Sequence, residues 1–342
     1  MKMKRFIVLT SGLILAISTL AGCAKTSQNN TSSPTNTAQT QQIAPQGGRP
    51  MGGGLGGQSL DTSKYTNKYL DIAYADKSQS QKLDIYLPNE GKGPFPVIVA
   101  IHGGAFRMGN KTGGDLAAMF EGLNRGYAVV SVDYRLSGEA TFPAAVNDVK
   151  AAIRFIRQNA SKYNLNPDKI ALWGDSAGGN LASIAGTTGG TNELYDTSLG
   201  YTDVSDDVTA VVDWFGPINF LEMDNQFQAS GITPRFGKTS SETSPESAYI
   251  GKLITEAKEI VEKANPETYI SKDDPAFLIE HGTQDANVPT QQSINFAQKL
   301  EKVLGKDKVE LVLLEGASHG GSQFEEKSNL DKVFAFLDKY MK

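Results

Sequence analysis

Residues 173–180 read WGDSAGGN, and this stretch decides the fold. It contains the pattern Gly-x-Ser-x-Gly, which directly follows a short apolar run at residues 170–173 and precedes a helical segment. A tight turn between a buried strand and a helix lifts a serine above the sheet, and glycines on either side avoid clashes. The helix also directs backbone N–H groups at the serine. The pattern predicts a strand–turn–helix unit with Ser176 as a nucleophile; the alternative is a glycine-rich turn that merely holds a serine.

Apolar runs on both sides of this unit predict the rest of the sheet. Two segments of alternating polarity, residues 69–74 and 82–87, are typical of antiparallel edge strands. Nearly continuous apolar runs favour parallel strands covered on both faces, and they lie at residues 97–101, 128–132, 170–173, 208–214, 276–279 and 309–314. Helical segments lie between them, at residues 144–159, 291–304 and 330–340. This alternation predicts an α/β fold with a doubly wound, mostly parallel sheet and helices on both faces.

One interval interrupts the alternation. Between Pro217 and Pro275 no run predicts a buried strand, and residues 248–264 have the pattern of a helix. An insertion of this size above the strand ends is typical of a lid over a site. We therefore predict a small lid insertion at about residues 218–270, within a domain of residues 60–342.

The sequence IHGGAF at residues 101–106 ends another predicted strand. Glycines let the backbone approach a bound molecule closely, so such a loop can donate backbone N–H groups to an oxyanion, together with the residue after the nucleophile. We predict Gly104, Ala105 and Ala177 as the donors of this oxyanion hole, and His102 and Gly103 as support for the loop. In isolation, a His-Gly-Gly sequence would indicate only a turn.

A serine nucleophile needs a base, normally a histidine held by a carboxylate. The chain has three histidines. His102 lies in the loop above, where we expect its ring to brace the loop. His281 directly follows a predicted strand, where a structural role is the simpler interpretation, although it remains the rival base. His319 follows the last predicted strand and satisfies the chain order serine, acid, histidine.

Asp285 is the carboxylate that completes this order. It follows the predicted strand at residues 276–279, and the carboxyl ends of parallel strands form the edge where open α/β sheets build their sites. We therefore predict that Ser176, Asp285 and His319 form a catalytic triad. Asp148, inside the predicted helix at residues 144–159, is expected to pair with an arginine or cap a loop. The rival acids, for which a solvated loop charge is the simpler interpretation, are Asp273, Asp274 and Glu315.

The first 22 residues are predicted to be an export signal. Basic residues at positions 2, 4 and 5 precede an apolar run at residues 6–20, and the run is short for a membrane span. The sequence LAGC at residues 20–23 is typical of a lipoprotein processing site, which would leave a lipidated Cys23 at the new N-terminus; a plain secretory signal is the alternative. Residues 23–59, rich in Ser, Thr, Asn, Gln and Gly, are predicted to be a flexible tether, with wall or glycan binding as an alternative. We thus expect an exported protein, anchored by lipid to the outer face of the bacterial membrane.

Charge excludes one class of partner. The chain has a net charge of −5, and removal of residues 1–22 takes away three basic residues and no acidic one, which lowers the charge to −8. Nucleic-acid binding needs a clustered basic face. We therefore expect no nucleic-acid partner. Since Cys23 is the only cysteine, no internal disulfide can form.

These motifs resemble the hormone-sensitive-lipase-like side of the α/β-hydrolases, and more closely the bacterial feruloyl- and acetyl-esterase-like group. The resemblance runs from about residue 82 to residue 324. Many relatives have a third glycine where this chain has Ala105. The methyl group of Ala105 is therefore expected to make the pocket beside the oxyanion loop slightly narrower. The motifs are KLDIYLP at 82–88, HGGAF at 102–106, DYRL at 133–136, FPAA at 142–145, GDSAGGN at 174–180, HGTQD at 281–285 and SHGG at 318–321.

The resemblance implies an α/β-hydrolase fold and a serine carboxylesterase that needs no metal and no organic cofactor. Its substrates would be short-chain or aromatic acyl esters, either acetyl or feruloyl groups on plant polysaccharide or general short-chain esters. An exopeptidase with the same triad and a non-catalytic surface-binding lipoprotein are the alternatives. Aromatic residues in the predicted lid and rim could stack on a sugar or ferulate ring or simply pack beneath the lid; they are Phe220, Phe227, Phe236 and Tyr249.

Overall fold

A computed structural model describes residues 59–342. The predicted signal peptide, Cys23 and nearly all of the predicted tether lie outside the described residues. In the described part, no helix is both long and apolar enough to cross a membrane.

The described residues contain one eight-stranded sheet in the order β1-β2-β4-β3-β5-β6-β7-β8. Strand β2 pairs antiparallel with β1 and β4, and all other pairings are parallel. The two predicted edge strands and the predicted parallel sheet are thus confirmed. The strands are β1 (Lys68–Ala73), β2 (Lys82–Tyr86), β3 (Phe95–Ile101), β4 (Ala128–Val132), β5 (Leu165–Asp175), β6 (Ala210–Trp214), β7 (Ala276–Gly282) and β8 (Val309–Leu314).

Helices connect the parallel strands. Short 3₁₀ helices supplement them, at Gly114–Leu116, Glu121–Arg125, Thr197–Leu199, Phe220–Glu222, Pro266–Tyr269 and Lys306–Lys308. The α-helices of the described residues are α1 (Ala117–Phe120), α2 (Ala144–Gln158), α3 (Ala177–Thr187), α4 (Met223–Ser230), α5 (Pro245–Ile250), α6 (Lys258–Lys263), α7 (Gln291–Leu304), α8 (Ser322–Glu325) and α9 (Lys327–Met341).

Strand β3 shows why the predicted strands have continuous apolar sequences. Its residues Val97, Val99 and Ile101 belong to one hydrophobic cluster, which also contains side chains of α2, α3 and α7. Its residues Ile98 and Ala100 belong to a second cluster, with side chains of α1 and α9. Successive side chains of a strand point to opposite faces, so a sheet covered on both faces needs an apolar residue at every position. The doubly wound architecture is therefore confirmed.

A buried ion pair secures the start of α2. The Asp148 carboxylate accepts hydrogen bonds from Nε and Nη2 of Arg135 at 2.9 and 2.8 Å, and from Nε2 of Gln81 at 2.7 Å. A carboxylate with no exposed side-chain surface needs such partners, because an unpaired buried charge costs several kcal/mol. The expected pairing of Asp148 with an arginine is confirmed.

The insertion differs from the prediction in one respect. The sequence pattern predicts one helix over residues 248–264, but α5 ends at Ile250 and α6 begins only at Lys258. Gly251 caps α5 in the left-handed region, with φ of 79°, and a Cβ there would lie 2.7 Å from the Thr141 side chain. The chain therefore turns where it packs against the body of the protein, and the predicted continuous helix is wrong.

Glu280 provides a test of how burial affects stability. Its side chain lies inside β7 with 0 % exposure, Oε2 accepts a hydrogen bond from Nδ2 of Asn329 at 2.8 Å, and burial raises the pKa of its carboxyl to about 7. Because the folded state binds this proton more tightly than the unfolded state, the free energy of unfolding falls as pH rises from about 4.5 to above 7.

Glu280→Gln removes that ionisation. Between pH 4.5 and pH 8, the wild type should lose stability that the variant keeps. The difference in free energy of unfolding, variant minus wild type, should therefore be about 1 to 3 kcal/mol larger at pH 8 than at pH 4.5. Urea titrations of both proteins at both pH values measure this gain, and other buried carboxyls cancel in the comparison. A difference between the two proteins that does not change with pH would contradict the argument.

Candidate active site

Ser176 occupies a strained turn between β5 and α3. Its φ and ψ are 52° and −119°, a combination that non-glycine residues rarely adopt. The turn is secured from both sides: the Ser176 N–H donates to the Trp214 carbonyl at 2.8 Å, and the Ser176 carbonyl accepts from the Asn180 N–H at 3.1 Å. The predicted strand–turn–helix unit is therefore present, with Ser176 at the carboxyl edge of the sheet.

Glycines around this turn are required by close backbone approach. A Cβ at Gly174 would overlap the Gly178 carbonyl, and a Cβ at Gly178 would overlap the carbonyl of Ile101 at the end of β3. A Cβ at Gly103 would lie 2.8 Å from Oδ2 of Asp175. Since all three positions lack a side chain, the turn and the loop after β3 lie in direct contact.

The structure brings together the three residues predicted as the triad. Nε2 of His319 lies 2.8 Å from Oγ of Ser176, and Nδ1 of His319 lies 2.7 Å from Oδ2 of Asp285. Because a carboxylate only accepts hydrogen bonds, Nδ1 carries the proton and Nε2 accepts from the serine hydroxyl. This arrangement can remove the serine proton as Oγ attacks an electrophile.

Asp285 is held in a site that favours its ionised form. Oδ1 accepts from the backbone N–H groups of Asn287 at 2.7 Å and Val288 at 2.9 Å, while His319 and His281 face Oδ2. Burial alone would raise the pKa of this carboxyl, but the two imidazoles outweigh burial and hold the pKa of Asp285 well below its usual range. The carboxylate therefore stays charged and can orient His319.

The rival histidine has a different position. His281 lies inside β7 rather than after it, because the strand extends three residues beyond the predicted end at 279. Its side chain is fully buried: Nδ1 lies 2.7 Å from Oγ of Ser293, and Nε2 lies 3.0 Å from the Val288 carbonyl and 3.2 Å from Oδ2 of Asp285. His281 thus packs beneath the acid of the predicted triad and makes no hydrogen bond to Ser176 in the described structure.

His102 braces the loop after β3. Its ring is 1 % exposed and stacks on Tyr134 with centroids 4.4 Å apart, and Nδ1 lies 2.7 Å from the Gly103 carbonyl. The Tyr134 hydroxyl also donates to the His102 carbonyl at 2.9 Å. Burial lowers the pKa of His102, so the imidazole is neutral at neutral pH. These contacts place the ring against the loop; its supporting role in the site stays a prediction.

The rival acids do not reach the triad. Asp273 and Glu315 are exposed, and the buried Asp274 accepts from the Ser271 hydroxyl at 2.8 Å. Among residues 59–342, no group of three or more His, Cys, Asp or Glu is placed to hold a metal ion.

The predicted oxyanion donors come from two segments in contact with each other, the loop after β3 and the start of α3. Gly104 and Ala105 have φ of 107° and 55°, which turns their backbone away from the extended path of β3, and Ala177 is the first residue of α3. Within residues 59–342 their N–H groups donate no hydrogen bond. First-turn N–H groups of a helix have no acceptor inside it, so Ala177 is free to bind an anion.

Phe215 is a site residue that the sequence analysis missed. Its ring lies 4.6 Å from the His319 ring, and its N–H donates to the Glu280 carbonyl at 2.8 Å. The residue directly follows β6, and its φ of 45° turns the backbone away from the extended path of that strand. Position alone was the available signal, because a residue just beyond a parallel strand lies at the site edge.

Most of the aromatic residues singled out in the insertion are packed rather than free. Phe220, Phe227 and Tyr249 are 1 to 3 % exposed, and the Tyr249 ring stacks on Phe106 with centroids 3.9 Å apart. Phe236 is 47 % exposed. Three of the four aromatic side chains are therefore packed in the interior, as the packing alternative predicted. The Phe236 ring is the one that remains exposed to a ligand.

Comparison with known proteins identifies relatives of this chain. The model of the BD-FAE family matches residues 83–300. The chain is 30 % identical to the probable carboxylic ester hydrolase LipM of Mycobacterium tuberculosis over 68 % of this chain and 52 % of the relative. It is 31 % identical to the isoprenylcysteine alpha-carbonyl methylesterase ICME of Arabidopsis thaliana, over 72 % of this chain and 55 % of the relative. The chain thus spans about half the length of these relatives.

Two solved structures resemble this chain in both fold and sequence. A truncated form of a carbohydrate esterase from gut microbiota superimposes with a TM-score of 0.74 at 33 % identity, over 83 % of this chain and 99 % of that chain. A bifunctional GH43-CE protein of Bacteroides eggerthii superimposes with a TM-score of 0.72 at 38 % identity, over 81 % of this chain and 38 % of that chain. The α/β-hydrolase fold and the family resemblance predicted from the motifs are confirmed.

Proposed function

The chain belongs to the BD-FAE family, and on that premise we propose that it is a serine carboxylesterase. The observation that carries the proposal is the continuous hydrogen-bonded series from Asp285 through His319 to Ser176, with distances of 2.7 and 2.8 Å. Its members come from three separate loops at one edge of the sheet. Such an arrangement activates a hydroxyl for attack on a carbonyl carbon.

The first half of the reaction forms an acyl-enzyme. His319 takes the Ser176 proton through Nε2 as Oγ attacks the ester carbonyl, and Asp285 stabilises the imidazolium that results. The N–H groups of Gly104, Ala105 and Ala177 donate to the oxyanion. The intermediate then collapses, the bond to the alcohol oxygen breaks, and His319 returns its proton to the leaving alcohol.

Water completes the reaction by the reverse roles. His319 removes a proton from water as the water oxygen attacks the acyl carbon, and the same N–H groups hold the second oxyanion. Ser176 Oγ then leaves with the proton from His319, which releases the carboxylic acid. Phe215, packed against His319, helps keep the imidazole in line during both steps.

The proposed substrates are short-chain or aromatic acyl esters, with acetyl or feruloyl groups on plant polysaccharide as the particular case. One of the similar solved structures is described as a carbohydrate esterase, which supports the particular case, and the relative LipM is described as a probable carboxylic ester hydrolase. The insertion above the strand ends is proposed to act as a lid over this site.

A substrate panel tests the proposal. Residues 60–342 are assayed on acetylated xylan, methyl ferulate and p-nitrophenyl esters of rising chain length, with a dipeptide amide as the exopeptidase control. We expect ester hydrolysis, strongest for short or aromatic acyl groups, and labelling of Ser176 by a fluorophosphonate. Amide cleavage without ester cleavage would favour an exopeptidase, and no labelling at all would indicate a binding protein.

For location, we propose export and lipid attachment at Cys23. The proposal is supported by the basic start, the apolar run and the sequence LAGC at residues 20–23. Acylation of one residue anchors a protein through buried hydrocarbon, so loss of that residue frees it. Cys23→Ala should move the protein from the membrane fraction to the soluble fraction of the cell extract. Unchanged membrane association of this variant would argue against acylation.

A further inference from the structure

The oxyanion loop, residues 102–109, has an unusual backbone. Ala105 and Phe106 have φ of 55° and 59°, in the left-handed region that non-glycine residues seldom occupy. The loop also turns back on itself, since a Cβ at Gly104 would overlap the Met108 carbonyl. Strained conformations of this kind persist only where the surrounding structure fixes them. The positions of the Gly104 and Ala105 N–H groups therefore depend on what holds the next residues of the loop.

Hydrogen bonds of the backbone close the loop. The Gly104 carbonyl accepts from the N–H groups of Arg107 at 3.0 Å and Met108 at 3.1 Å. The Phe106 carbonyl accepts from the Ser137 N–H at 2.7 Å. These bonds define the turn that follows Gly104, and side-chain contacts with the insertion supply further support.

The first of these contacts is an aromatic stack. The Phe106 ring is 1 % exposed and lies parallel to the Tyr249 ring of α5, with centroids 3.9 Å apart and planes 9° apart. Phe220 packs edge-on against the Phe106 ring at 6.2 Å. Tyr249 is itself tied to the body of the protein, because its carbonyl accepts from the Phe142 N–H at 2.7 Å. A change of φ at Phe106 would move its ring out of this stack, so the stack favours the strained backbone.

The next residue of the loop forms a second contact with the same helix. Nη2 of Arg107 donates to the carbonyls of Thr243 at 2.8 Å and Ser244 at 2.5 Å. Ser244 is the N-cap of α5, and its hydroxyl accepts from the Ser247 N–H at 3.0 Å. Hydrogen bonds from a guanidinium are charge-assisted and stronger than those between neutral groups. Two consecutive residues of the oxyanion loop are thus held by α5 and the segment that caps it.

We propose that α5 positions the oxyanion loop, with Arg107 and Tyr249 as positioning residues of the esterase. They act through the backbone of Phe106, which keeps the N–H groups of Gly104 and Ala105 directed at the oxyanion. The insertion then contributes to the chemical step as well as covering the site. The proposal rests on the esterase function above and names further residues on which that function depends.

Steady-state kinetics on p-nitrophenyl acetate test this role. Arg107→Met removes the guanidinium and keeps the aliphatic stem, and Tyr249→Leu removes the ring and keeps an apolar side chain. Arg235→Met is the matched control, because Arg235 is exposed in the same insertion and its guanidinium lies 5.7 Å from the centroid of the neighbouring Phe236 ring. The conservative variants Arg107→Lys and Tyr249→Phe test for rescue.

We expect kcat to fall about 10-fold in Arg107→Met and about 10- to 100-fold in Tyr249→Leu, with KM changed less than about threefold, because hydrogen bonds to an oxyanion form in the transition state. Tyr249→Phe should recover most of the rate lost in Tyr249→Leu, since the buried Tyr249 hydroxyl has no hydrogen-bond partner among residues 59–342. Arg107→Lys should recover part of its loss, and Arg235→Met should match the wild type. A wild-type kcat in folded Arg107→Met and Tyr249→Leu proteins would overturn the proposal.

A transition-state analogue separates positioning from a merely structural effect. The carbonyl carbon of 1,1,1-trifluoropropan-2-one bonds to Oγ of Ser176, the hydroxyl proton passes to His319, and the carbonyl oxygen becomes an oxyanion. Its inhibition constant should rise in Arg107→Met and Tyr249→Leu by about the same factor as kcat falls. A lower kcat with an unchanged inhibition constant would place the defect outside the oxyanion hole and refute the role of α5.

Hydrogen exchange separates failure of this proposal from failure of the esterase function. The N–H groups of Arg107 and Met108 are protected while they donate to the Gly104 carbonyl, so peptides that cover residues 102–110 report the loop conformation without substrate. Faster exchange there in Arg107→Met and Tyr249→Leu than in Arg235→Met supports the link to α5, even in a protein that cleaves no ester. Ester cleavage with unchanged exchange and unchanged kcat does the reverse.

Thermal unfolding verifies that each variant is folded. Tyr249 is buried, whereas Arg107 is exposed, so Arg107→Met leaves the core intact and decides the question if Tyr249→Leu fails to fold.

Discussion

Ser176→Ala is expected to lower kcat on p-nitrophenyl acetate by about 10⁴- to 10⁶-fold. The substitution removes the attacking oxygen and the hydrogen bond to Nε2 of His319, while the oxyanion donors and the binding surface remain. Residual activity above the uncatalysed rate is therefore expected from those donors alone. The turn itself should persist, because its hydrogen bonds use the backbone of residue 176 rather than its hydroxyl.

Ser198→Ala is the matched control. Ser198 is exposed and lies in a 3₁₀ helix outside the triad, so its loss should leave kcat within about twofold of the wild type. Circular dichroism and thermal unfolding of both variants verify that the fold is intact. A folded Ser176→Ala protein with a wild-type rate, or one that still reacts with a fluorophosphonate, would remove Ser176 from the mechanism.

Asp285→Asn is expected to lower kcat by about 10³- to 10⁴-fold, the second largest effect. In the wild type, the carboxylate accepts from Nδ1 of His319 and so holds the tautomer whose Nε2 can accept the serine proton. The amide of asparagine keeps one oxygen, and the backbone N–H groups of Asn287 and Val288 already require an acceptor. Its NH₂ group then faces both imidazoles, which favours the wrong tautomer of His319.

The same substitution has a pH signature. The Asp285 carboxylate stabilises the imidazolium form of His319, so removal of its charge should change the pH dependence of kcat/KM. Asp273→Asn provides the control, since Asp273 is an exposed carboxylate a few residues before β7. A pH profile of Asp285→Asn identical to that of the wild type, with kcat unchanged, would show that another group orients His319.

The two substitutions together test whether the residues act as one unit. If Ser176 and His319 transfer one proton with help from Asp285, the double variant should be no slower than Ser176→Ala alone, because the aspartate has nothing left to assist. Additive losses would instead mean that Asp285 serves a separate step.

Much of the site could be predicted from local sequence because its chemistry depends on backbone geometry. The glycines of WGDSAGGN are dictated by close approach of carbonyls, and the serine at their centre lies where the strand ends. Continuous apolar runs likewise predict strands buried on both faces, as in β3 and β4. Such features are encoded by neighbours in the chain, so they can be inferred without knowing the rest of the fold.

Other features depend on contacts between distant segments. The helix predicted over residues 248–264 ends at Ile250, where Gly251 adopts a left-handed conformation and lies close to the Thr141 side chain, more than a hundred residues earlier. The strand that carries His281 extends to Gly282 through pairing with β8, which places the ring beneath Asp285 rather than in a loop. Phe215 becomes a neighbour of His319 only when β6 and β8 share one edge.

By itself, the sequence determined the layered α/β fold, the turn that presents Ser176 and the short set of residues able to assist it. Only the tertiary structure decided that Asp285, rather than Asp273, Asp274 or Glu315, faces His319, and that the Phe215 ring packs against the same imidazole. The physical reason is the distance along the chain over which each property is set. Backbone conformation and apolar periodicity are local properties, whereas hydrogen bonding and burial of a side chain depend on which distant segments the sheet brings to the same edge.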